Sequence, residues 1–173
     1  MCKVPRETRV DELVDAVVVH HNRIDLTGRC VEALARDQGP LRTVTIIDSG
    51  SVTPISDSQQ RLWGDLLGRE KEGRRPIGLF IESFKENVGF ADGNNRGLAL
   101  RIRDGAGFYL ILNNDAYLEP RTLELMVDTA LESGAGMVAP AVYQAGDPER
   151  VDRFGLTLTR SGAGYDRKNE SDG

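Results

Sequence analysis

Cysteine is scarce in this chain: Cys2 and Cys30 are the only two in 173 residues, and neither sits in a CxxC or zinc-type spacing. That excludes a disulfide-stapled scaffold and a thiolate metal centre. Cys30 reads as a small core residue on a helix face, and the setting as reducing and cytosolic. Long hydrophobic runs are missing too, since none approaches the ~20 residues of a membrane span. The stretch Met1 to Glu12 is polar and charged, which excludes a secretory signal. No basic surplus exists either: the net charge is −5, so no nucleic-acid partner is expected. The densest charged stretch, Arg69 to Arg75, mixes signs and reads as solvated. The GxGxxG, GxxxxGK and GxSxG signatures are all absent. His20 and His21 are adjacent, so in a strand they point to opposite faces and cannot chelate one ion as a pair.

What is present is 39% hydrophobic and 28% charged residues, the balance of a water-exposed globular domain with one core. Short apolar runs alternate with amphipathic stretches. Strands are expected at Ala16–Val19, Thr43–Ile47, within Ile77–Phe84, at Phe108–Leu112 and at Gly136–Val142. Helices are expected from about Leu26 to Arg36, with Val31, Leu34 and Ala35 inward, and from Ser58 to Arg69, with Leu62, Trp63, Leu66 and Leu67 as its apolar stripe. Two more run from Gly93 to Arg103, with Leu98, Ala99 and Ile102 inward, and from Thr122 to Leu131. Gly39-Pro40 and Gly73 to Pro76 are breakers. Arg153–Thr159 reads as one more strand, and Gly162–Gly173 as a frayed tail. Strands alternating with helices imply a mostly parallel sheet flanked by helices, a Rossmann-like α/β fold.

Three of the strands end in polar turns: Asp48-Ser49-Gly50-Ser51, Asn87-Val88-Gly89-Phe90 and Asn113-Asn114-Asp115. Ligands of open α/β sheets bind beyond the carboxyl ends of the strands, so acids and amides gathered on that rim suit a nucleotide and a divalent metal. Asp48 can accept two hydrogen bonds from a ribose or a base; the competing reading is a plain turn. In Asn87 to Gly97, glycines four apart suit close backbone approach and positive φ, and Asn94 and Asn95 fall at a helix start. A carboxylate and an amide in Asn113-Asn114-Asp115 are hard oxygen ligands suited to Mg²⁺ or Mn²⁺. His21 with Asn22 can line the same rim.

In this order the strings resemble family 2 glycosyltransferases of the GT-A fold, most closely the rhamnosyltransferase-like branch. His21-Asn22 stands where that family has Tyr/Trp-Asn, and Asp48-Ser49-Gly50-Ser51 where it has Asp-Asn-Gly-Ser. Asn87 to Gly97 matches Asn-x-Gly-Phe-Ala-x-Gly-Asn-Asn-x-Gly, and Asn113-Asn114-Asp115 matches its DxD variant, followed by Pro120. The resemblance implies that Asp48 meets the nucleoside, and that Ser49, His21 and Asn22 belong to the nucleotide-sugar site. It implies that Asn87, Gly89, Gly93, Asn94 and Asn114 line the nucleotide-sugar pocket. Asp115, assisted by Asn113, would hold Mn²⁺ or Mg²⁺ on the donor diphosphate. The implied reaction is inverting transfer of a sugar from a UDP-, dTDP- or GDP-sugar to a hydroxyl of a glycan or other saccharide.

Three departures matter. Ser49 replaces the usual Asn, at the expense of one hydrogen bond. Asp92 stands where the family often has Gly, and is expected to turn away as a helix cap. Family members are also longer, with the acceptor site and general base in a second half. The chain is therefore expected to be the donor-binding part: an extension over 1–14, a GT-A nucleotide-sugar-binding domain over 15–143, and the start of the acceptor side or a frayed tail over 144–173. Glu149, Asp152 and Asp166 are available acids, and nothing in their context singles one out as base. The alternative is a catalytically silent nucleotide-sugar-binding module. A cytoplasmic location is expected, peripheral to the inner face of a membrane if associated with one, with self-association through an apolar face left open by the shortened chain.

Overall fold

The computed structural model describes residues 12–70, 75–153, 155–158 and 164–166. The expectations for residues 1–11, for Cys2, for 71–74 within the charged stretch and its breaker, and for most of 159–173 lie outside the described residues. The chain divides into two units, one up to Val127 and the other from Asp128.

The first unit is a four-stranded parallel sheet wrapped by helices. Its elements are β1 (Val14–His20), α1 (Ile24–Arg36), β2 (Leu41–Ser49), α2 (Asp57–Gly68), β3 (Gly78–Phe84), α3 (Gly89–Arg101), a 3₁₀ turn (Ile102–Asp104), β4 (Phe108–Asn113) and the start of α4 (Thr122–Ser133). The strand order is β3-β2-β1-β4. Val19 of β1 pairs with Ile47 of β2 on one side and with Asn113 of β4 on the other. The chain therefore builds outward through β2 and β3, then reverses to the far side of β1. This puts the topological switch point between β1 and β4, the place where such sheets bind ligands.

The middle of β1, Ala16–Val19, is apolar because both faces of the sheet are covered. Ala16 and Val18 look toward one helix layer, with Val44, Ile46, Leu110 and Leu112 beside them. That layer includes Cys30, Val31, Leu34 and Ala35 of α1 and Trp63 and Leu67 of α2. The α1 stripe of Thr27, Cys30, Val31, Leu34 and Ala35 follows helical spacing, with one polar member. Ser56 caps α2, its hydroxyl accepting from the Gln59 N–H. Leu62, expected in the α2 stripe, is instead solvent-facing, because Trp63 and Leu67 suffice to fill that face.

The other face of the sheet is covered by α3, and here the sequence expectation needs correction. The helix starts at Gly89, one turn earlier than Gly93, and its buried residues are Gly93, Asn94 and Gly97. Leu98 is only half-buried, Ala99 is exposed and Ile102 is 63% exposed. A Cβ on Gly97 would lie 2.4 Å from Val17 Cγ1, and one on Gly93 would lie 2.9 Å from Val19 Cγ2. The helix thus lies on β1 through its glycine face, a contact that weak intrinsic helix propensity does not reveal. Asp92 is not a cap: it sits in the first turn and pairs with Arg96 at 2.8 Å.

In the second unit, β5 (Val142–Gln144) and β6 (Asp147–Arg153) form an antiparallel hairpin, as do β7 (Leu156–Leu158) and β8 (Gly164–Asp166). The expected fifth strand over 136–142 does not join the main sheet. Met137 is 93% exposed, Pro140 cannot donate to a ladder, and Gly146, at φ 92°, closes the local hairpin instead. The strand expected over 153–159 is shorter, and β8 falls inside the stretch read as frayed. Among the described residues no helix is long and apolar enough to cross a membrane.

Candidate functional site

The carboxyl ends of β1, β2 and β3 are stitched together by the residues singled out from the sequence. His21 Nδ1 donates to the Ser49 carbonyl at 2.8 Å. A carbonyl only accepts, so the imidazole proton is on Nδ1. Its Nε2 accepts from Asn22 Nδ2 at 2.9 Å, with Asn87 Nδ2 at 3.4 Å. The amides are oriented independently: Asn22 Oδ1 accepts from the Val52 N–H, and Asn87 Oδ1 accepts from Ser49 Oγ and the Gly89 N–H. Asn22 adopts φ 60°, the left-handed conformation that Asn tolerates best among non-glycine residues. Its own N–H donates to Ser51 Oγ at 2.9 Å.

Ser49, 1% exposed, uses its hydroxyl twice, donating to Asn87 and accepting from the Val88 N–H. The substitution for the family's Asn is thus absorbed into the link between two loops. Gly50 completes that link: at φ +65°, a Cβ there would lie 2.4 Å from the Glu86 carbonyl carbon. Asp48 is also 1% exposed. Its two carboxylate oxygens accept from the Ser51 N–H at 3.2 Å and the Ile55 N–H at 3.3 Å, shaping the turn that follows β2.

The end of β4 and the first turn of α3 meet β1 at an open cleft of about 330 Å³, lined by Val19, Phe90, Asn113, Asn114 and Asp115. It opens at the switch point. Asn113 and Asp115 are exposed, and neither side chain is hydrogen-bonded to another described residue. Asn114 behaves differently, because its amide donates inward to Thr27 Oγ1 at 3.1 Å. Behind the turn, the Asn113 carbonyl accepts from Cys30 Sγ at 3.8 Å and from the Ala116 N–H at 3.1 Å. Burial, reinforced by the charge of Asp115, pushes the Cys30 thiol up to about 12. That keeps it protonated and inert.

The sequence-derived residues therefore fall into two groups. His21, Asn22, Asp48, Ser49 and Asn87 form the interlocked rim, while Asn113, Asn114 and Asp115 belong to the cleft. Gly89, at φ 75°, opens α3, and Gly93 faces Val19 of the sheet. Asn94 is 4% exposed: its amide nitrogen donates to the Phe90 carbonyl, and its Oδ1 finds no partner among the described residues. Sequence reasoning gave no role to Phe90, 53% exposed at the cleft, or to Thr27 behind it. Signals existed in each case: an aromatic in the first helical turn, and a lone hydroxyl in an apolar helix stripe.

A metal fits this cleft only together with a ligand. Among the described residues no group of three or more His, Cys, Asp or Glu side chains could hold an ion. The cleft offers one carboxylate and one outward amide, and Mg²⁺-type sites commonly take one or two carboxylates plus substrate phosphates and water.

Comparison with known proteins agrees with this geometry. No curated protein sequence matches the chain. Among solved structures, S. aureus TarS is similar at a TM-score of 0.55 and 17% identity, over 70% of this chain and 20% of that one. TarS 1-349 in complex with UDP-GlcNAc gives 0.52 and 16%, over 78% of this chain and 41% of that one. TarS 1-349 in complex with UDP gives 0.52 and 15%, over 78% and 43%. At these identities the likeness shows the shared GT-A fold, and the chain spans less than half the length of each of these structures. The sequence profile described as glycosyl transferase family 2 matches residues 15–172, and the chain belongs to that family.

Proposed function

We propose that this chain binds a nucleotide-sugar donor for metal-assisted, inverting transfer of the sugar to an acceptor hydroxyl, as in the rhamnosyltransferase-like branch of the family. The observation that carries the reading is the cleft at the switch point, where Asp115 is the sole carboxylate among the lining residues. TarS in complex with UDP-GlcNAc and with UDP supports the donor class. UDP-, dTDP- and GDP-sugars are the candidates, and a glycan hydroxyl is the acceptor.

In this reading residues 15–143 are the donor domain and 144–173 begin the acceptor side. Asp48, Ser49, His21 and Asn22 form the nucleoside end. Asn87, Gly89, Gly93, Asn94 and Asn114 shape the sugar-nucleotide wall. Asp115, helped by Asn113, would hold Mn²⁺ or Mg²⁺, whose charge when bound offsets that developing on the leaving diphosphate. Phe90 and Val19 supply an apolar wall that sheds water from the ligand. The protein would work in the cytoplasm, alone or at the inner face of the membrane, in building polysaccharide. The exposed side chains of Leu100, Ile102 and Ile111 support self-association, which light scattering measures directly.

Calorimetric titration with UDP, dTDP and GDP, each with and without Mn²⁺, tests the proposal. One nucleotide should bind in a metal-dependent way. Asp115→Ala should lose the metal dependence while keeping its circular dichroism spectrum. Unchanged metal dependence in that variant would overturn the metal assignment, and no binding of any nucleotide would overturn the donor site.

A further inference from the structure

We propose that Thr27 is a positioning residue for the Asn113–Asp115 turn: its buried hydroxyl anchors the Asn114 amide inward, which leaves Asn113 and Asp115 facing the cleft. The inference deepens the donor-site reading and rests on it for its metal part. Thr27 is fully buried on α1, and 87 residues separate it from Asn114.

The bonding capacity of this hydroxyl is fully used. It donates to the Arg23 carbonyl at 3.2 Å and accepts from Asn114 Nδ2 at 3.1 Å. It also meets His20 Nδ1 at 2.7 Å. A threonine hydroxyl has one proton and two lone pairs. Whichever way the His20 bond runs, one atom joins the end of β1, the start of α1 and the turn after β4. Cys30, three residues along the same helix face, meets the Asn113 carbonyl. Two side chains of α1 thus fix the back of the turn, one through a side chain and one through the backbone. Asn113 ends β4, Asn114 and Asp115 form the turn after it, and Asn113 and Asp115 are exposed on either side of the inward-held Asn114. Drawing Asn114 back into the protein fixes the turn in the conformation that leaves its two neighbours at the cleft. The apolar stripe of α1 would accept valine at position 27 on packing grounds, and the hydroxyl is accounted for by what it holds.

The test uses the full chain with Thr27→Val, which keeps shape and loses the hydroxyl, and Thr27→Ser, which keeps the hydroxyl. One readout needs no ligand: the hydrogen-exchange rate of the Asn114 side-chain amide, followed by NMR. The other is the ratio of nucleoside diphosphate affinities with and without Mn²⁺, using whichever of UDP, dTDP and GDP binds the wild type. We expect Thr27→Val to speed Asn114 exchange and to cut the metal enhancement by about 10- to 100-fold, the usual cost of losing an outer-shell partner. Metal-free affinity should be unchanged, and Thr27→Ser should restore both readouts. Wild-type exchange at Asn114 in Thr27→Val, or a full metal enhancement, overturns the proposal. Should Thr27→Val not fold, Asn114→Ala removes the same bond from its other end, and a full metal enhancement there overturns the proposal equally. A wild type with no metal enhancement sinks the donor-site reading and the metal half of this proposal with it, while the exchange data still decide whether Thr27 holds Asn114.

Discussion

Replacing Gly97 by alanine is the sharpest probe of how α3 is seated. In an exposed helix the change would stabilise the protein by about 0.5–1 kcal/mol, because alanine loses less backbone entropy than glycine. At Gly97 the new methyl would lie 2.4 Å from Val17 Cγ1, 3.1 Å from Val17 Cγ2 and 3.3 Å from Ile47 Cγ1. Val17 is fully buried in the central strand β1 and, being β-branched, has little freedom at χ1. The clash must be relieved by lifting α3 off the sheet, and overpacking of this kind costs about 1–3 kcal/mol. Subtracting the propensity gain leaves a net loss of roughly 0–2.5 kcal/mol, against a gain in the control. Gly64→Ala in α2 is the control, since nothing lies within 4 Å of its added Cβ, and it should gain the propensity term alone. Urea unfolding reads both changes as shifts of midpoint at constant slope. Val17→Ala should couple to Gly97→Ala, since the pair is in contact. A Gly97→Ala variant as stable as Gly64→Ala would refute the glycine-faced docking. The start of α3 carries Phe90 at the cleft, so it would also remove the structural basis for that wall.

Two further expectations concern buried titratable groups. Burial holds His20 below the ordinary value of 6.5 and nearby His21 adds to this, although Asp48 pulls the other way. A histidine kept neutral in the fold contributes stability that is present above the unfolded value of about 6.5 and is lost as pH falls through the depressed folded value. Unfolding measured from pH 7 to 5 should therefore fall less steeply in His20→Gln than in wild type, and equal slopes would contradict the assignment. Cys30, pushed up to about 12 by burial, should resist alkylation at pH 8 in a Cys2→Ser background and react only on opening in denaturant. Prompt labelling of the native protein would show the thiol to be accessible.

Most of the first unit could be read from sequence because its code is local. The apolar runs of β1 and β2 are buried on both faces, and the α1 stripe repeats at helical spacing. The rim was legible for the same reason, since each polar turn directly follows a strand end. What escaped depends on partners distant in the chain. Gly93 and Gly97 read as suited to close approach, but what approaches them is not legible until Val17 and Val19 are placed beneath them. Thr27 looks like a weak helix former until Asn114 reaches it across 87 residues. The strand expected over 136–142 failed because a run of three apolar residues between Gly136 and Pro140 carries no information about which sheet, if any, will receive it.

The hydrogen-bond accounting also sorts the polar residues in a way their chemistry alone does not. Asp48, Ser49, His21, Asn22 and Asn87 are all competent to meet a nucleotide, yet most of their donors and acceptors are already engaged with one another or with loop backbone. A group that must first surrender a buried bond gains little by contacting a ligand, because the net value of the exchange is small and any orphaned partner costs about 1–3 kcal/mol. Their contribution to affinity would then lie mainly in fixing three loops before the ligand arrives, which lowers the ordering cost of binding. Asn113 and Asp115 stand apart, with side chains unspent within the described structure and the inward pull on Asn114 between them. By this argument changes in the interlocked rim weaken binding through loss of order and should lower stability at the same time. Changes at Asp115 alter binding alone, so parallel measurement of stability and affinity separates the residues that build the site from those that touch the ligand.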